Sequence, residues 1–271
     1  MARVLALPTF SDNPDAWETY FTTVDDAPAS IALDIFVGEH APLAKNTNLL
    51  AVLIHMNDPG EHGLGDGVDS EALRHVEQQI VHAYEQELDV LFVGRVRSQG
   101  VWQLYFYGAE GEELEQRAAQ LLSGFSGWKQ ELHITSDPEW EIYFDLLFPD
   151  RERLQWIQDR KVCEALAEQG DPLVVPRRVD HYAYFATSAD RQRFIDASGK
   201  EHFEVEAVGF DPDEDDMAYT VQLHRTESVE LETIHDVVMD LIVCATEHDG
   251  LYDGWETSVL APKTGEAPLP N

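Results

Sequence analysis

Basic residues are scarce in this chain. It has 18 Lys and Arg against 52 Asp and Glu, a formal net charge of −34 over 271 residues. Such a charge repels phosphate backbones and disfavours direct binding of nucleic acid, whereas it speeds encounter with a basic protein surface. Residues 201–271 are the most unbalanced, with 2 basic and 18 acidic groups. Adaptation to high salt is the alternative explanation, because net charge informs solubility and association rather than fold.

Cysteines and long apolar runs are also few. The two cysteines, Cys163 and Cys244, fall in predicted helices without a Cys-x-x-Cys spacing, as expected for thiols in a reducing compartment. No stretch approaches the roughly 18 apolar residues of a membrane span. The apolar segment 4–7 is closed by Pro8 and is too short for a secretory signal. We therefore expect a cytoplasmic protein that has no membrane partner.

Catalytic motifs are missing as well: the chain has neither a Gly-x-Ser-x-Gly elbow nor a phosphate-binding glycine loop. The loop 55–69 does hold residue types that ligate metals, namely His55, Asp58, His62 and Asp66. Their spacing matches neither the His-Glu-x-x-His motif nor an EF-hand. We predict a solvated loop, no catalytic residue and no cofactor. A metal-assisted hydrolase that uses these four residues is the alternative.

Apolar periodicity predicts the fold class. Period-two or continuous apolar runs predict strands at residues 29–37, 49–55, 90–97, 101–107, 130–135, 179–186, 203–210, 217–224 and 255–260. Helical periodicity predicts helices from Ser70 and Asp137, at 112–123, 151–169 and 188–198, and after Ser228. The element order β-α-β-β-α-β occurs twice. We therefore predict an α+β protein of two ferredoxin-like α/β sandwich domains with antiparallel sheets, at residues 1–149 and 150–271.

Three local signals sharpen this prediction. Asp137-Pro138 is typical of a helix start, with Asp as the cap and Pro at the first helical position. Ser228 is expected to cap the last long helix. Asp253-Gly254 predicts a turn between that helix and the final strand, because glycine accepts positive φ and aspartate bonds its own backbone.

The C-terminal half resembles the RraB family, the regulators of ribonuclease E activity. The resemblance covers about residues 151–262 and is carried by motifs in a fixed order: Gly170-Asp171-Pro172-Leu173, Pro176-Arg177, Val179-Asp180-His181-Tyr182-Ala183-Tyr184-Phe185 and Tyr252-Asp253-Gly254-Trp255-Glu256-Thr257. The acidity agrees with it.

The N-terminal half is similar to the bacterial domain of unknown function 695 family, which often precedes an RraB-like domain. The matching features are Trp17-Glu18-Thr19-Tyr20, Pro28-Ala29-Ser30-Ile31, Tyr105-Phe106-Tyr107, and Asp137-Pro138-Glu139-Trp140 with Tyr143. That family implies no activity.

The RraB resemblance implies a non-catalytic bacterial regulator that inhibits RNA decay by contact with the ribonuclease itself and not with RNA. A carboxylate-rich face is expected to dock on a basic protein segment and compete there with phosphate. The candidate partner-binding residues are Glu204, Glu206, Asp213, Glu214, Asp215, Asp216, Tyr252 and Trp255. For Tyr252 and Trp255 two roles stay open, as anchors of the partner or as core residues. The sequence predicts no oligomeric state.

Overall fold

Two compact units make up the chain, residues 1–150 and residues 151–271. The computed structural model describes residues 17–65, 67–68, 70–87, 90–211 and 216–260. Each unit has helices and one antiparallel sheet, with six strands in the first and four in the second. The predicted α+β class with antiparallel sheets is therefore confirmed.

The described residues of the N-terminal unit form a six-stranded sheet with two α-helices. In chain order its elements are β1 (Trp17–Val24), β2 (Ala27–Asp34), β3 (Asn48–His55), α1 (Ser70–Glu87), β4 (Leu91–Ser98), β5 (Val101–Gly108), α2 (Gly111–Leu122) and β6 (Lys129–Ser136). The strand order is β1-β2-β4-β5-β3-β6. Strand β1 was not predicted from the sequence. It forms a hairpin with β2 and extends the sheet at the β4 side.

Strands β3 and β5 are apolar on both faces because both faces are covered. Leu50, Val52 and Ile54 pack with side chains of α1 and α2 on one face. On the other face, Trp140 stacks on Tyr107 with ring centroids 3.9 Å apart. A nearly continuous apolar run is the pattern expected for a strand that is buried twice.

The predicted helix start at Asp137 is wrong in its register. Asp137 does cap helical turns, but its carboxylate accepts from the backbone N–H groups of Glu141 and Ile142, at 2.8 and 3.1 Å. The observed helical segment covers residues 141–147. Pro138 lies before it, because Trp140 has a φ of 58°, a left-handed conformation that a helix cannot contain. Stacking of the Trp140 ring and its hydrogen bond to the Asn46 carbonyl (2.8 Å) outweigh the local propensity.

The described residues of the C-terminal unit form three α-helices and four strands. Its elements are α3 (Arg151–Glu168), β7 (Arg177–Phe185), α4 (Ser188–Ser198), β8 (Glu204–Phe210), β9 (Tyr219–Glu227), α5 (Leu231–Glu247) and β10 (Gly250–Thr257). The strand order is β10-β7-β9-β8. The predicted cap Ser228 lies before the observed boundary, since helix α5 begins at Leu231 and its flanking residue Glu230 makes no side-chain capping bond.

The two units share one strand order. If β3, β4, β5 and β6 are compared with β7, β8, β9 and β10, both sheets have the order fourth, first, third, second. Each crossover helix thus joins two strands that have one antiparallel strand between them. The narrower ferredoxin-like assignment remains a prediction.

The predicted turn at Asp253-Gly254 is wrong: both residues lie inside β10. The register of β10 against β7 shifts between Tyr252 and Gly254, so the pair forms a bulge. Gly254 has a φ of 145°, in a region that residues with a side chain rarely adopt. Turn and bulge use the same residue types, and only the pairing with β7 decides between them.

Replacing Gly254 with Ala is expected to destabilise the C-terminal unit by about 1–2 kcal/mol through backbone strain. Crowding contributes little, because a Cβ atom there meets no atom within 4 Å. Gly199→Ala is the matched control, since its site is equally open and its φ is −60°. Urea unfolding of both variants measures the difference. Equal free energies of unfolding for the two variants would contradict backbone strain in Gly254→Ala.

Candidate partner-binding surface

Helices cover one face of the C-terminal sheet. Ala183 and Phe185 of β7, with Val221 and Leu223 of β9, pack in one core cluster with side chains of α4 and α5. Because side chains alternate along a strand, the residues between them point to the opposite face, which we call the open face.

An ion-pair network occupies the middle of the open face. Arg178 binds Asp180 through two guanidinium nitrogens, with Nη2–Oδ1 at 2.7 Å, and reaches Glu206 with Nη2–Oε2 at 2.8 Å. The Gln222 amide donates to Asp180 at 3.0 Å. The hydrogen bond from Arg178 lowers the pKa of Asp180 below its ordinary value. Asp180 therefore stays ionised at neutral pH.

Aromatic and small residues form the rest of the open face. Tyr182 donates a hydrogen bond to Glu256, which raises the pKa of the tyrosine to about 12. Beside Tyr182 and Tyr184, the small residues Ala207 and Gly209 leave a shallow depression of about 250 Å³.

The open face carries more anions than cations. Its carboxylates are Asp180, Glu204, Glu206 and Glu256. In the described part of the four strands, Arg178 is the one Lys or Arg on this face, since Arg177 and Arg225 alternate to the helix side. The excess of negative charge on this face is therefore carried by the strands themselves.

The structure brings together only part of the predicted binding set. Glu204 and Glu206 lie on β8 at the rim of the open face, where His224 is 3.6 and 3.8 Å from their carboxylates. Asp216 is exposed in the connection from β8 to β9. Asp213, Glu214 and Asp215 lie outside the described residues.

Tyr252 points to the helix side of the sheet, away from Glu204 and Glu206. Its hydroxyl is hydrogen-bonded to Nδ1 of the buried His181 at 2.9 Å. Burial raises the pKa of Tyr252 well above the ordinary tyrosine value. On the far side of His181, burial opposes ionisation of Glu227, but hydrogen bonds from His181 and Arg225 lower its pKa overall. Tyr252 thus belongs to a polar network inside the unit.

Trp255 is likewise directed inward. It packs with the apolar cluster between α3 and α5, and its indole N–H donates to Asp159 Oδ1 at 2.9 Å. The other carboxylate oxygen of Asp159 lies 2.8 Å from His235 Nδ1. Tyr252 and Trp255 therefore lie on the opposite side of the sheet from Glu204 and Glu206.

The loop that the alternative hypothesis takes as a metal site does not assemble one in the described residues. His55 Nε2 is 2.8 Å from Glu131, and hydrogen bonds from Lys129 and His55 lower the pKa of Glu131 to about 2. Asp58 accepts from the Val68 backbone N–H at 3.0 Å, and His62 is exposed. Across the described ranges, no three His, Cys, Asp or Glu residues form a group that could hold a metal ion.

Asp66 lies outside the described residues, so the hydrolase alternative remains a hypothesis. Both cysteines are free thiols, and burial raises the pKa of Cys163 to about 11. Among the residues that the structure describes, no helix has the length and apolarity to cross a membrane.

Sequence reasoning missed most of the open face. From the sequence, Asp180, Tyr182 and Glu256 were recognised only as parts of motifs, and Arg178 was not recognised at all. A sequence signal was present, because small or apolar residues alternate with polar or tyrosine residues along β7, at Val179, Ala183 and Phe185 against Asp180, Tyr182 and Tyr184. This alternation assigns the even-numbered residues of β7 to the face opposite the core.

Together, fold and surface define an acidic α+β protein of two units, one of which has an open, carboxylate-bearing sheet face. Residues 15–148 match the model of a family of unknown function, DUF695, and residues 156–257 match that of the family described as regulator of ribonuclease activity B, RraB. Both families occur in the predicted order, so this recognition is confirmed. No curated protein matches the chain.

Proposed function

We propose that this protein is a non-catalytic regulator of ribonuclease activity that binds a basic segment of a ribonuclease through the open face of its C-terminal unit. The observation that carries the proposal is the RraB match over residues 156–257, the same residues that build the open face. The two matched ranges also support a division into a DUF695-like domain at 1–149 and an RraB-like domain at 150–271.

Electrostatics favour a protein partner over RNA. A net charge of −34 repels phosphate at every distance where salt does not screen it. An arginine-rich segment that normally binds RNA is instead attracted by this charge. Carboxylates can replace phosphates on such a segment, because both accept bidentate hydrogen bonds from guanidinium groups. A regulator of this kind lowers RNA cleavage by occupying such a segment, and it acts in the cytoplasm, where the ribonuclease meets RNA.

The open face already contains a small version of this contact. Arg178 lies between Asp180 and Glu206 at hydrogen-bonding distances, so these carboxylates are placed to receive a guanidinium group. Glu204, on the same strand as Glu206, has a side chain that is 81% exposed and is free to bind a second cation. Partner arginines are expected to bind beside Arg178, at Glu204 and Glu256.

A ribonuclease assay tests the proposal. The full chain is added to an RNA-degrading endoribonuclease purified from the source cell, with a fluorescent RNA substrate at low ionic strength. We expect cleavage to slow as the protein is added and to recover in high salt, because screening weakens the contact. Glu204→Gln with Glu206→Gln is expected to raise the concentration for half-inhibition roughly tenfold.

The control removes the same charge from the other side of the same unit. Asp236→Asn with Asp240→Asn changes two exposed carboxylates of α5, on the helix side of the sheet. This variant is expected to inhibit like the wild type. Unchanged cleavage at a large excess of protein would refute a regulatory role. Equal losses of inhibition in both double variants would show that inhibition depends on net charge and not on the open face.

A further inference from the structure

Strand β8 (Glu204–Phe210) is an edge strand of the C-terminal sheet as far as the structure describes it. It pairs with β9 on one side, and no described strand lies on its other side. Six of its seven residues are exposed. An edge of this kind presents backbone N–H and C=O groups to any extended chain that approaches.

One side of β8 bears an exposed apolar row. Val205, Val208 and Phe210 are 43%, 53% and 59% exposed. They are paired with Leu223, Val221 and Tyr219 of β9, so all three lie on the helix side of the sheet. The Phe210 and Tyr219 rings are in contact, with centroids 5.0 Å apart. This apolar row extends the apolar helix side of the sheet onto its edge strand.

The other side of β8 bears the acidic row. Glu204 is paired with His224, and Glu206 reaches Arg178, so both carboxylates lie on the open face. A bulge between Val205 and Ala207 keeps the two rows apart, because it allows Val205 and Val208 to share a side despite their odd spacing.

Bulges and charges also protect edges from unwanted pairing. Strand β8, however, contains no Lys and no Pro, two residues that commonly protect an edge. Its apolar row is also the densest group of exposed large apolar residues on any strand in the described part of the chain. An exposed apolar row adds nothing to this protection, whereas it offers an added strand side-chain contacts that select its sequence.

We propose that β8 receives an extended segment of the partner as a fifth strand, in which basic and apolar residues alternate. This inference rests on the proposed function and specifies how the basic segment binds. Side chains of an added strand point alternately to the two faces. Its apolar residues therefore contact Val205, Val208 and Phe210, while its Lys or Arg residues contact Glu204 and Glu206.

The charge selects this occupant over a second copy of the chain. Two copies paired through β8 bring together two bodies of charge −34, and neither β8 strand supplies a cation to the other's glutamates. A basic segment gains from the same field. Strand β8 spans roughly 23 Å at the usual rise of a strand, which sets the segment at about seven residues.

Synthetic peptides test the alternation directly. We use the full chain and three eight-residue probes: alternating Arg and Val, the same residues as an Arg block followed by a Val block, and the alternating peptide N-methylated at every second amide. All three carry the same charge. The alternating peptide is expected to bind at least about tenfold more tightly than the other two. On binding, it is expected to protect the backbone amides of residues 204–210 from hydrogen exchange.

A pair of matched variants separates strand addition from general attraction. Val208→Glu adds a negative charge to the apolar row, so it strengthens attraction but removes an apolar contact. We expect the alternating peptide to bind it about tenfold more weakly. Val243→Glu adds the same charge on α5, at a position that is 52% exposed, and is expected to bind at least as well as the wild type.

Equal affinity for all three peptides, or unchanged affinity in Val208→Glu, would overturn the proposal. A dimer that sediments as such and dissociates in Val208→Glu would overturn it too, in favour of a second copy as the occupant. The ribonuclease assay tests the regulatory function independently of the peptide experiment. Inhibition without any preference for alternation refutes the strand addition alone, whereas preference without inhibition refutes the regulatory function alone.

Discussion

Replacing Asp171 with Ala is expected to lower the free energy of unfolding of the C-terminal unit by about 3–5 kcal/mol, because it leaves a buried arginine without its partner. Both side chains are nearly inaccessible, at 5% for Arg177 and 0% for Asp171. Arg177 Nη2 lies 2.7 Å from Asp171 Oδ1, and the other guanidinium nitrogen binds Oδ2. The carboxylate also accepts from the backbone N–H groups of Leu173 and Leu260, at 2.8 and 2.6 Å.

This pair joins two distant segments of the chain. It holds the loop after α3 to the residues that follow β10, so its loss loosens both. Hydrogen exchange measures the effect, since peptides from residues 151–260 are expected to exchange faster while those from 17–150 are unchanged. Glu164→Ala is the control: it breaks an exposed pair with Arg160 and is expected to cost less than about 0.5 kcal/mol.

The same pair predicts an acid limit of stability. The hydrogen bond from Arg177 holds the pKa of Asp171 well below its ordinary value. A carboxyl group whose folded pKa is depressed stabilises the fold above its unfolded pKa, near 4, and loses that contribution as the pH falls through the folded pKa. Stability is therefore expected to decline below about pH 4. In Asp171→Ala this part of the decline is absent. An unchanged slope in the variant would contradict the assignment.

Replacing Asp159 with Ala is expected to cost about 3 kcal/mol, because it leaves polar groups in the core unpaired. Asp159 is 1% exposed and bonds both Trp255 Nε1 and His235 Nδ1, at 2.9 and 2.8 Å. One carboxylate thus connects α3, α5 and β10. The vacated volume is small, so the lost hydrogen bonds account for most of the cost.

Urea unfolding checks the Asp159 prediction, with Gln155→Ala as its control. Gln155 donates to the same Asp159 Oδ1 at 2.9 Å but is only partly buried, so its removal is expected to cost less than about 1 kcal/mol. If Asp159→Ala unfolds within about 0.5 kcal/mol of the wild type, the network does not stabilise the unit as described.

Much of the secondary structure was predictable because its signals are local. The strand predicted at 101–107 is observed at Val101–Gly108, and the helix predicted at 188–198 is observed at Ser188–Ser198. Strand β1 was missed, since its Thr-rich end lacks a strong apolar alternation and its order comes from pairing with β2. Gly254 was misassigned because a turn and a bulge need the same residue types.

The candidate surface was likewise predicted only in part from local sequence signals. Glu204 and Glu206 were found from their charge, and the structure places both at the rim of the open face. Tyr252 and Trp255 were grouped with them only by their place in a motif, and the structure directs both to the helix side. Strand register sets the face of the sheet to which a side chain points, and a sequence motif does not contain that register.

By itself, the sequence determined the α+β class, the two families in their order and the acidity, because periodicity, motif order and composition are properties of neighbouring residues. Only the tertiary structure decided which carboxylates share a face. The antiparallel register brings Asp180, Glu206 and Glu256 to one side of the sheet from three strands far apart in the chain. That side is the one no helix covers in the described unit, and β8 ends it with an unpaired edge.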